Sequence, residues 1–263
     1  MMHSAVMLLM VTVASWQPIE PGLELGTFAA PQKSQYGDSK VRILRIDPQH
    51  FELRVLSASH AADGQSKTAR EWLYSGGLVA AINPSMFQKD MKTSVSLMKN
   101  RHHTNHPRLS GDKMLLAFDP APGEKLPSVQ LVDRECDDFT KLEPQYGSWV
   151  QSIRMLSCKG ENVWAQQNKT WSIAALGTDT KGRVLFIHAR SPYSVHDFVK
   201  ILQALPIDIA RAMYAEGGPE AQLAVMQGKQ IHEFVGSFET GFHEDDTNVA
   251  AWPIPNVVGI VRK

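Results

Sequence analysis

The sequence predicts an α+β domain built on a mixed, largely antiparallel sheet with a few packed helices. Three observations predict it: strand-like segments outnumber helical ones, hairpin signatures occur early and late, and neither βαβ alternation nor an internal repeat is visible. At 263 residues the chain can bury a sizeable core as one domain.

The elements follow in order. Ala5–Ala14, AVMLLMVTVA, is a short apolar run with small residues Thr12 and Ala14 near its end, like the h-region of a secretory signal. Met1–Ser4 lacks the Lys or Arg that usually precedes such a run. The run is too short to span a bilayer, so export without a transmembrane segment is expected. The expected organisation is a leader over 1–15, a linker over 16–39 and a domain over 40–263. Val41–Ile46 and Phe51–Ala58 alternate apolar and polar residues around Asp47–Pro48, which predicts a hairpin. Thr68–Tyr74 reads as a short helix closed by Gly76 and Gly77. Leu78–Ile82 is continuously apolar, the pattern of a strand buried on both faces.

Met114–Phe118, Val129–Val132, Trp149–Leu156 and Trp171–Leu176 read as further strands. The turn Thr178–Gly182 joins Trp171–Leu176 to Arg183–Ala189 as a hairpin. Ser194–Leu205 is the strongest helix: Ser194 caps it, Val195, Phe198, Val199, Leu202 and Leu205 share one face, and Pro206 ends it. Strands follow at Ile209–Ala215, Gln222–Met226, Gln230–Val235 and Asn256–Val261.

Charge excludes little and suggests less. Lys+Arg and Asp+Glu both number 27, so nothing in the balance argues for nucleic acid or an anionic membrane as partner. Cys136 and Cys158 either pair as one disulfide, as an exported protein permits, or remain inert thiols. They are too few for a structural zinc site, and no metal set is expected.

The chemistry concentrates at Ile209–Gly218. An apolar strand delivers Glu216 into a Gly217–Gly218 turn, where a carboxylate and bare N–H groups can meet a ligand. The alternative is a tight turn with a solvated Glu. Asn83 ends another apolar strand and is held extended by Pro84, either to contact a ligand or to cap an Asx turn. His188 and Arg190 flank the end of the strand RVLFIHA. Asp179 is explained by its turn and is the least specific candidate. His102, His103 and His106 read as a polar loop, and Glu244–Asp246 as a solvated run without the calcium-loop pattern.

Four segments in this order resemble the phosphodiester glycosidase family: Ala80–Asp90, Val150–Gly160, Trp171–Ala189 and Ala212–Leu223, with Pro253–Val261 similar to its closing strand. The resemblance covers roughly residues 40–263. The chain departs from the family's pattern at Pro84–Ser85, where the family turn is usually Gly-rich, at Ile153–Arg154, where it commonly has Gly-Pro, and at Glu216, where it usually has Asp. The resemblance implies an exported hydrolase of a glycosyl phosphodiester or related envelope glycoconjugate. Its catalytic candidates are Glu216, His188 and Asp179. Asn83, Arg190, Gly217 and Gly218 are expected to bind substrate. No organic cofactor is implied, and the sequence leaves metal need open. A non-catalytic carbohydrate-binding protein on the same fold is the alternative. The strand ends carrying Asn83, His188, Arg190 and Glu216 are expected to converge.

Overall fold

The computed structural model describes residues 16–123 and 125–263. The leader expected over 1–15 lies outside the described residues. The linker expected over 16–39 is corrected. Strands β1 (Trp16–Glu20) and β2 (Leu23–Ala29) form an antiparallel hairpin around Gly22, whose φ of +79° favours glycine. Leu23, Leu25 and Phe28 are buried, which ties this segment to the core. Residues 31–39 are fastened as well: the Tyr193 hydroxyl donates to the Gln32 carbonyl and the Ser39 N–H to Ser191 Oγ.

The expected hairpin of Val41–Ile46 with Phe51–Ala58 is also corrected. Strand β3 (Lys40–Ile46) pairs with β2 and with a later strand, whereas β4 (Phe51–Ser57) belongs to a second sheet. The Asp47–Pro48 turn carries the chain between layers. Both strands bury an apolar face in the same core, so the alternation fits either arrangement.

Most of the remaining elements match the sequence; the strand Thr104–His106 falls within the expected polar loop around His102, His103 and His106, and the helix Phe139–Leu142 is unexpected. Helix α1 (Ala69–Gly76) starts at a Thr68–Glu71 capping box and ends at Gly77, with φ +60°. Strand β5 (Ala80–Ile82) is wholly buried. Short strands β6 (Met98–Lys99) and β7 (Thr104–His106) follow, then β8 (Met114–Pro120) and β9 (Val129–Asp133). Helix α2 (Phe139–Leu142) precedes the long β10 (Tyr146–Leu156). Strands β11 (Trp171–Asp179) and β12 (Val184–Tyr193) pair as the expected hairpin. Helix α3 (Val195–Ala204) is capped by Ser194, a contact worth about 1 kcal/mol. Strands β13 (Ile209–Gly217), β14 (Gln222–Gln227), β15 (Gln230–Val235) and β16 (Asn256–Arg262) complete the fold.

Two antiparallel sheets face each other. The larger runs β1-β2-β3-β12-β11-β13-β10-β6-β7, with β8 and β9 attached through β10; the smaller runs β15-β14-β5-β16-β4. Leu44, Phe186 and Met213 of the larger sheet pack against Leu53, Ile82, Leu223 and Ile260 of the smaller. Val195, Phe198, Val199 and Leu202 of α3 cover the other face of the larger sheet against Ile43, Ile173 and Ile187. Trp72 and Leu73 of α1 cover the smaller sheet against Ala81, Ala224 and Val257. The α+β expectation holds, with helices on the outer faces of two packed sheets.

Cys136 and Cys158 form a disulfide, their Cα atoms 6.5 Å apart. It links the turn after β9 to the turn after β10. No helix among the described residues is long and apolar enough to cross a membrane.

Candidate active site at the end of strand β13

The end of β13 is not a regular strand. Ala174 on β11 pairs with Glu216, but the next residue, Ala175, pairs with Tyr214, so Ala215 is a bulge. A bulge re-aims the side chains beside it. It stands directly before Glu216, and a single 3₁₀ turn, Gly218–Glu220, carries the chain from the larger sheet into β14 of the smaller.

Both glycines are required by what surrounds them. A Cβ on Gly217 would collide with the Tyr214 hydroxyl and with Trp171 Cδ1. Gly218 has φ +64°, and a Cβ there would meet Glu239 Oε2 at 2.5 Å. The turn is thus walled by Tyr214 and Trp171 on one side and by the Glu239 carboxylate on the other. Trp171 and Tyr214 meet edge to face at 6.2 Å, and Trp164 lies 5.9 Å from Tyr214.

Three carboxylates share this turn. Burial pushes the Glu216 carboxyl up to about 8; the Gly217 N–H, donating to Glu216 Oε1 at 3.0 Å, opposes this, and the charges of Glu220 and Glu239 add to it. Glu220 is also raised, by burial and by Glu239, with His243 opposing. Glu239 is raised by burial, and Lys169 opposes. The Tyr214 hydroxyl is driven well above its ordinary range by burial and then by these three carboxylates. Glu216 is therefore raised most clearly, beside two carboxyls that burial raises as well and that His243 and Lys169 oppose. Among the described residues the three carboxylates do not gather as metal ligands; the one ligand-like cluster is Asp133, Cys136 and Cys158, whose sulfurs are spent in the disulfide.

A loop supplies Glu239. Residues 236–243 run beside the start of β11: Ser237 and Phe238 N–H groups donate to Ser172 Oγ, and Glu239 bridges Trp171. Arg190 fastens the rest, donating to the carbonyls of Val235, Asp246 and Asn248 and pairing with the Asp246 carboxylate at 2.8 Å.

The other expected site residues support the turn more than they face it. Ala174 pairs with His188 on one side and Glu216 on the other, which sets those two about 10 Å apart by strand spacing. His188 is fully buried and donates Nε2–H to the Ala221 carbonyl at 3.2 Å; Nδ1 has no partner. Burial depresses its pKa to about 3, so it stays neutral and is corrected from acid to strut. Asn83 Oδ1 accepts from the Gln222 N–H at 2.7 Å, and Gln222 Oε1 accepts from Ala69 N–H at 2.8 Å. Asn83 and His188 thus hold adjacent residues just beyond the turn. Arg190 is corrected from substrate contact to loop anchor, since each of its side-chain nitrogens already has a partner. Asp179 is corrected outright. It pairs with Ile209, at the far end of β13 from Glu216, and its carboxylate serves the turn by accepting from Lys181 and Arg183 N–H and from Arg183 Nε.

Glu220, Glu239, Tyr214 and Trp171 were not singled out by sequence. Glu220 stands four residues beyond Glu216 in EGGPE, a signal visible in the chain; Glu239 is joined to the site only by the fold. A separate cavity of about 800 Å³ lies by β4 and α1, yet its Lys67–Asp63 and Arg101–Asp119 charges are already paired with each other.

The zebrafish N-acetylglucosamine-1-phosphodiester alpha-N-acetylglucosaminidase catalytic domain, auto-inhibited by its pro-peptide, shares the fold at TM-score 0.64 and 14% identity, over 95% of this chain and 87% of that one. A hypothetical protein from Synechocystis matches at TM-score 0.64 and 12% identity, over 97% and 64%. A Burkholderia pseudomallei protein, provisionally described as exported, matches at TM-score 0.53 and 10% identity, over 90% and 74%. No curated protein matches the sequence. The model of the phosphodiester glycosidase family matches residues 76–261, and the chain belongs to that family.

Proposed function

We propose that this protein is an exported glycosidase that hydrolyses the anomeric C–O bond of a glycosyl phosphodiester or a related glycoconjugate. The observation that carries the reading is the pairing of a protonated Glu216 with the carboxyls of Glu220 and Glu239 around a glycine turn. Glycoside hydrolysis needs two carboxyl groups of opposite duty. Glu216 supplies the proton. Glu239, raised by burial with Lys169 opposing, is the carboxyl assigned to take the proton of the attacking water. Trp171 offers an aromatic face on which a sugar ring can stack. Family membership supports the glycosidase reading, and the apolar run Ala5–Ala14 supports export.

The test is Glu216→Gln. The change removes the proton donor but keeps size and hydrogen bonding. On a confirmed substrate, kcat should fall about 10²–10⁴-fold while folding is retained. A change confined to affinity would instead mean that Glu216 only orients the sugar, sugar binding without any turnover would indicate a carbohydrate-binding protein, and full activity would end the assignment.

A further inference from the structure

The glycosidase reading concerns the bond that is cut and leaves open what lies beyond it. Resting on that reading, we propose that Phe242 and Trp252 form a second ring-binding subsite. It stacks a neutral sugar ring of the substrate other than the one whose anomeric bond is broken.

The loop that carries Glu239 goes on to present an aromatic ring to solvent. Phe242 is 62% exposed, although it follows a carboxylate of the site within the same turn of chain. Its position is fixed. The Glu239 N–H donates to the His243 carbonyl at 2.8 Å, and the Phe242 and His243 N–H groups donate back to the Glu239 carbonyl at 3.1 and 2.9 Å. Gly241, at φ +85°, turns the chain, and its N–H donates to Glu244 Oε1 at 2.6 Å. The Phe242 ring meets Trp252 edge to face with centroids 6.0 Å apart, and the His243 ring stands at 90° to the same indole at 6.4 Å. Trp252 is tied to the site in turn: its carbonyl accepts from Gln222 Nε2, and the Gln222 N–H donates to Asn83 Oδ1.

The start of β11 and this loop run as a short antiparallel ribbon. Trp171 bridges Glu239, the Thr170 N–H donates to Thr240 Oγ1, and the Thr240 N–H donates to the Thr170 carbonyl. Trp171 and Glu239 are the side chains that a Cβ on Gly217 or Gly218 would strike, so this face of the ribbon looks at the turn. Phe242 and Trp252 lie past its end. The carboxyls are therefore served by two separate aromatic groups, Trp171 with Tyr214 at Gly217 and Phe242 with Trp252 beyond Glu239. His243, within the second group, is close enough to Glu220 to act on its carboxyl.

The chemistry of the surface selects the occupant. A pyranose has a flat face of C–H groups and a rim of hydroxyls; the face lies on an aromatic ring and the rim needs polar groups at its edge. Phe242 supplies the ring. Lys169, opposite Gly241 in the ribbon, and Glu244 supply exposed charged groups at the edge. An alkyl chain would meet those charges along its length. An aromatic side chain already held in place also loses little freedom when a ligand settles on it.

The experiment uses the full chain and the methyl, octyl and 6-glucosyl phosphodiesters of α- and β-N-acetylglucosamine, glucose, galactose and mannose 1-phosphates. For the sugar accepted, kcat/KM on the glucosyl ester should exceed that on the methyl ester about tenfold. Phe242→Ala and Phe242→Leu should each bring this ratio down to about 1–2, and Phe242→Tyr, which restores an aromatic face, should keep it. An octyl ester preferred as strongly as the glucosyl ester overturns the sugar as occupant. A ratio that Phe242→Ala leaves unmoved overturns the subsite. Either result leaves the glycosidase reading standing, because the methyl ester is still cleaved. Cleavage of none of the esters removes the glycosidase reading, and the subsite is then decided by titrating the same esters against tryptophan fluorescence. Binding of the glucosyl ester about tenfold tighter than the methyl ester, lost in Phe242→Ala, upholds it. Equal binding, or none, overturns it.

Discussion

Glu239 lies directly over Gly218: a Cβ on that glycine would meet Glu239 Oε2 at 2.5 Å and Glu239 Cβ at 3.2 Å. One carboxylate of the site is therefore placed by the absence of a side chain at Gly218, although 21 positions separate the two in the chain.

Gly218→Ala should show this. The left-handed backbone, φ +64°, costs about 1–2 kcal/mol for an alanine. The displaced Glu239 should cost more in rate than in stability, about 10²-fold in kcat for a shift near 1 Å. Denaturant unfolding and steady-state kinetics on the same preparation separate the two effects.

Stability should peak on the mildly acidic side of neutral. Glu216, at about 8 in the fold, stays protonated while the unfolded chain ionises, so its contribution is present below pH 4.5 and is lost as pH rises toward 8. His188, at about 3, stays neutral while the unfolded chain protonates, so stability falls as pH drops from 6.5 toward 3. Asp38 and Asp197 are lowered and add to the acid-side loss. Glu220 and Glu239, the charges that act on Glu216, are themselves raised and add to the loss on the alkaline side. Thermal unfolding from pH 4 to 9 should therefore give a maximum between about 5 and 6.5. Glu216→Gln should flatten the alkaline side, recovering on the order of 3 kcal/mol at pH 9.

His188→Ala should damage the fold far more than the chemistry. It removes a fully buried ring and its bond to the Ala221 carbonyl, a loss of about 2–4 kcal/mol. Activity per folded molecule should fall much less than in Glu216→Gln. Loss of kcat to the Glu216→Gln level at unchanged stability would restore His188 to the catalytic group.

Replacing both Cys136 and Cys158 by Ser should lower stability by about 3 kcal/mol, as expected for a loop with a sequence separation of 22. Kinetics should hardly change. Leu156 pairs with Ala212, so the disulfide following β10 lies toward the start of β13, away from Glu216.

The legible parts of this protein were those whose physics is local. The five apolar positions of α3, the unbroken run of β5 and the Thr178–Gly182 hairpin turn each announce their element within a dozen residues. Glu216 was legible for the same reason, as a carboxyl next to two glycines. The β1–β2 hairpin was hidden by Pro18 and Pro21, which read as linker. The split of β3 and β4 between sheets was hidden because one alternation pattern serves either layer. Glu239 reaches the site through Ser172 and Arg190, contacts made only once β11 and β12 are in place. Asp179 shows the reverse error: a polar residue in a resembling segment whose bonds are all spent on its own turn.

The central claim is that Glu216 is the proton donor, and the pH dependence of kcat/KM on a cleaved substrate tests it most directly. The account predicts a bell whose alkaline limb falls with an apparent pKa near 8, set by Glu216, and whose acid limb reports the partner carboxyl. In Glu216→Gln the alkaline limb should vanish along with most of the rate on an unactivated substrate. An unchanged alkaline limb in Glu216→Gln, at wild-type rate, would contradict it.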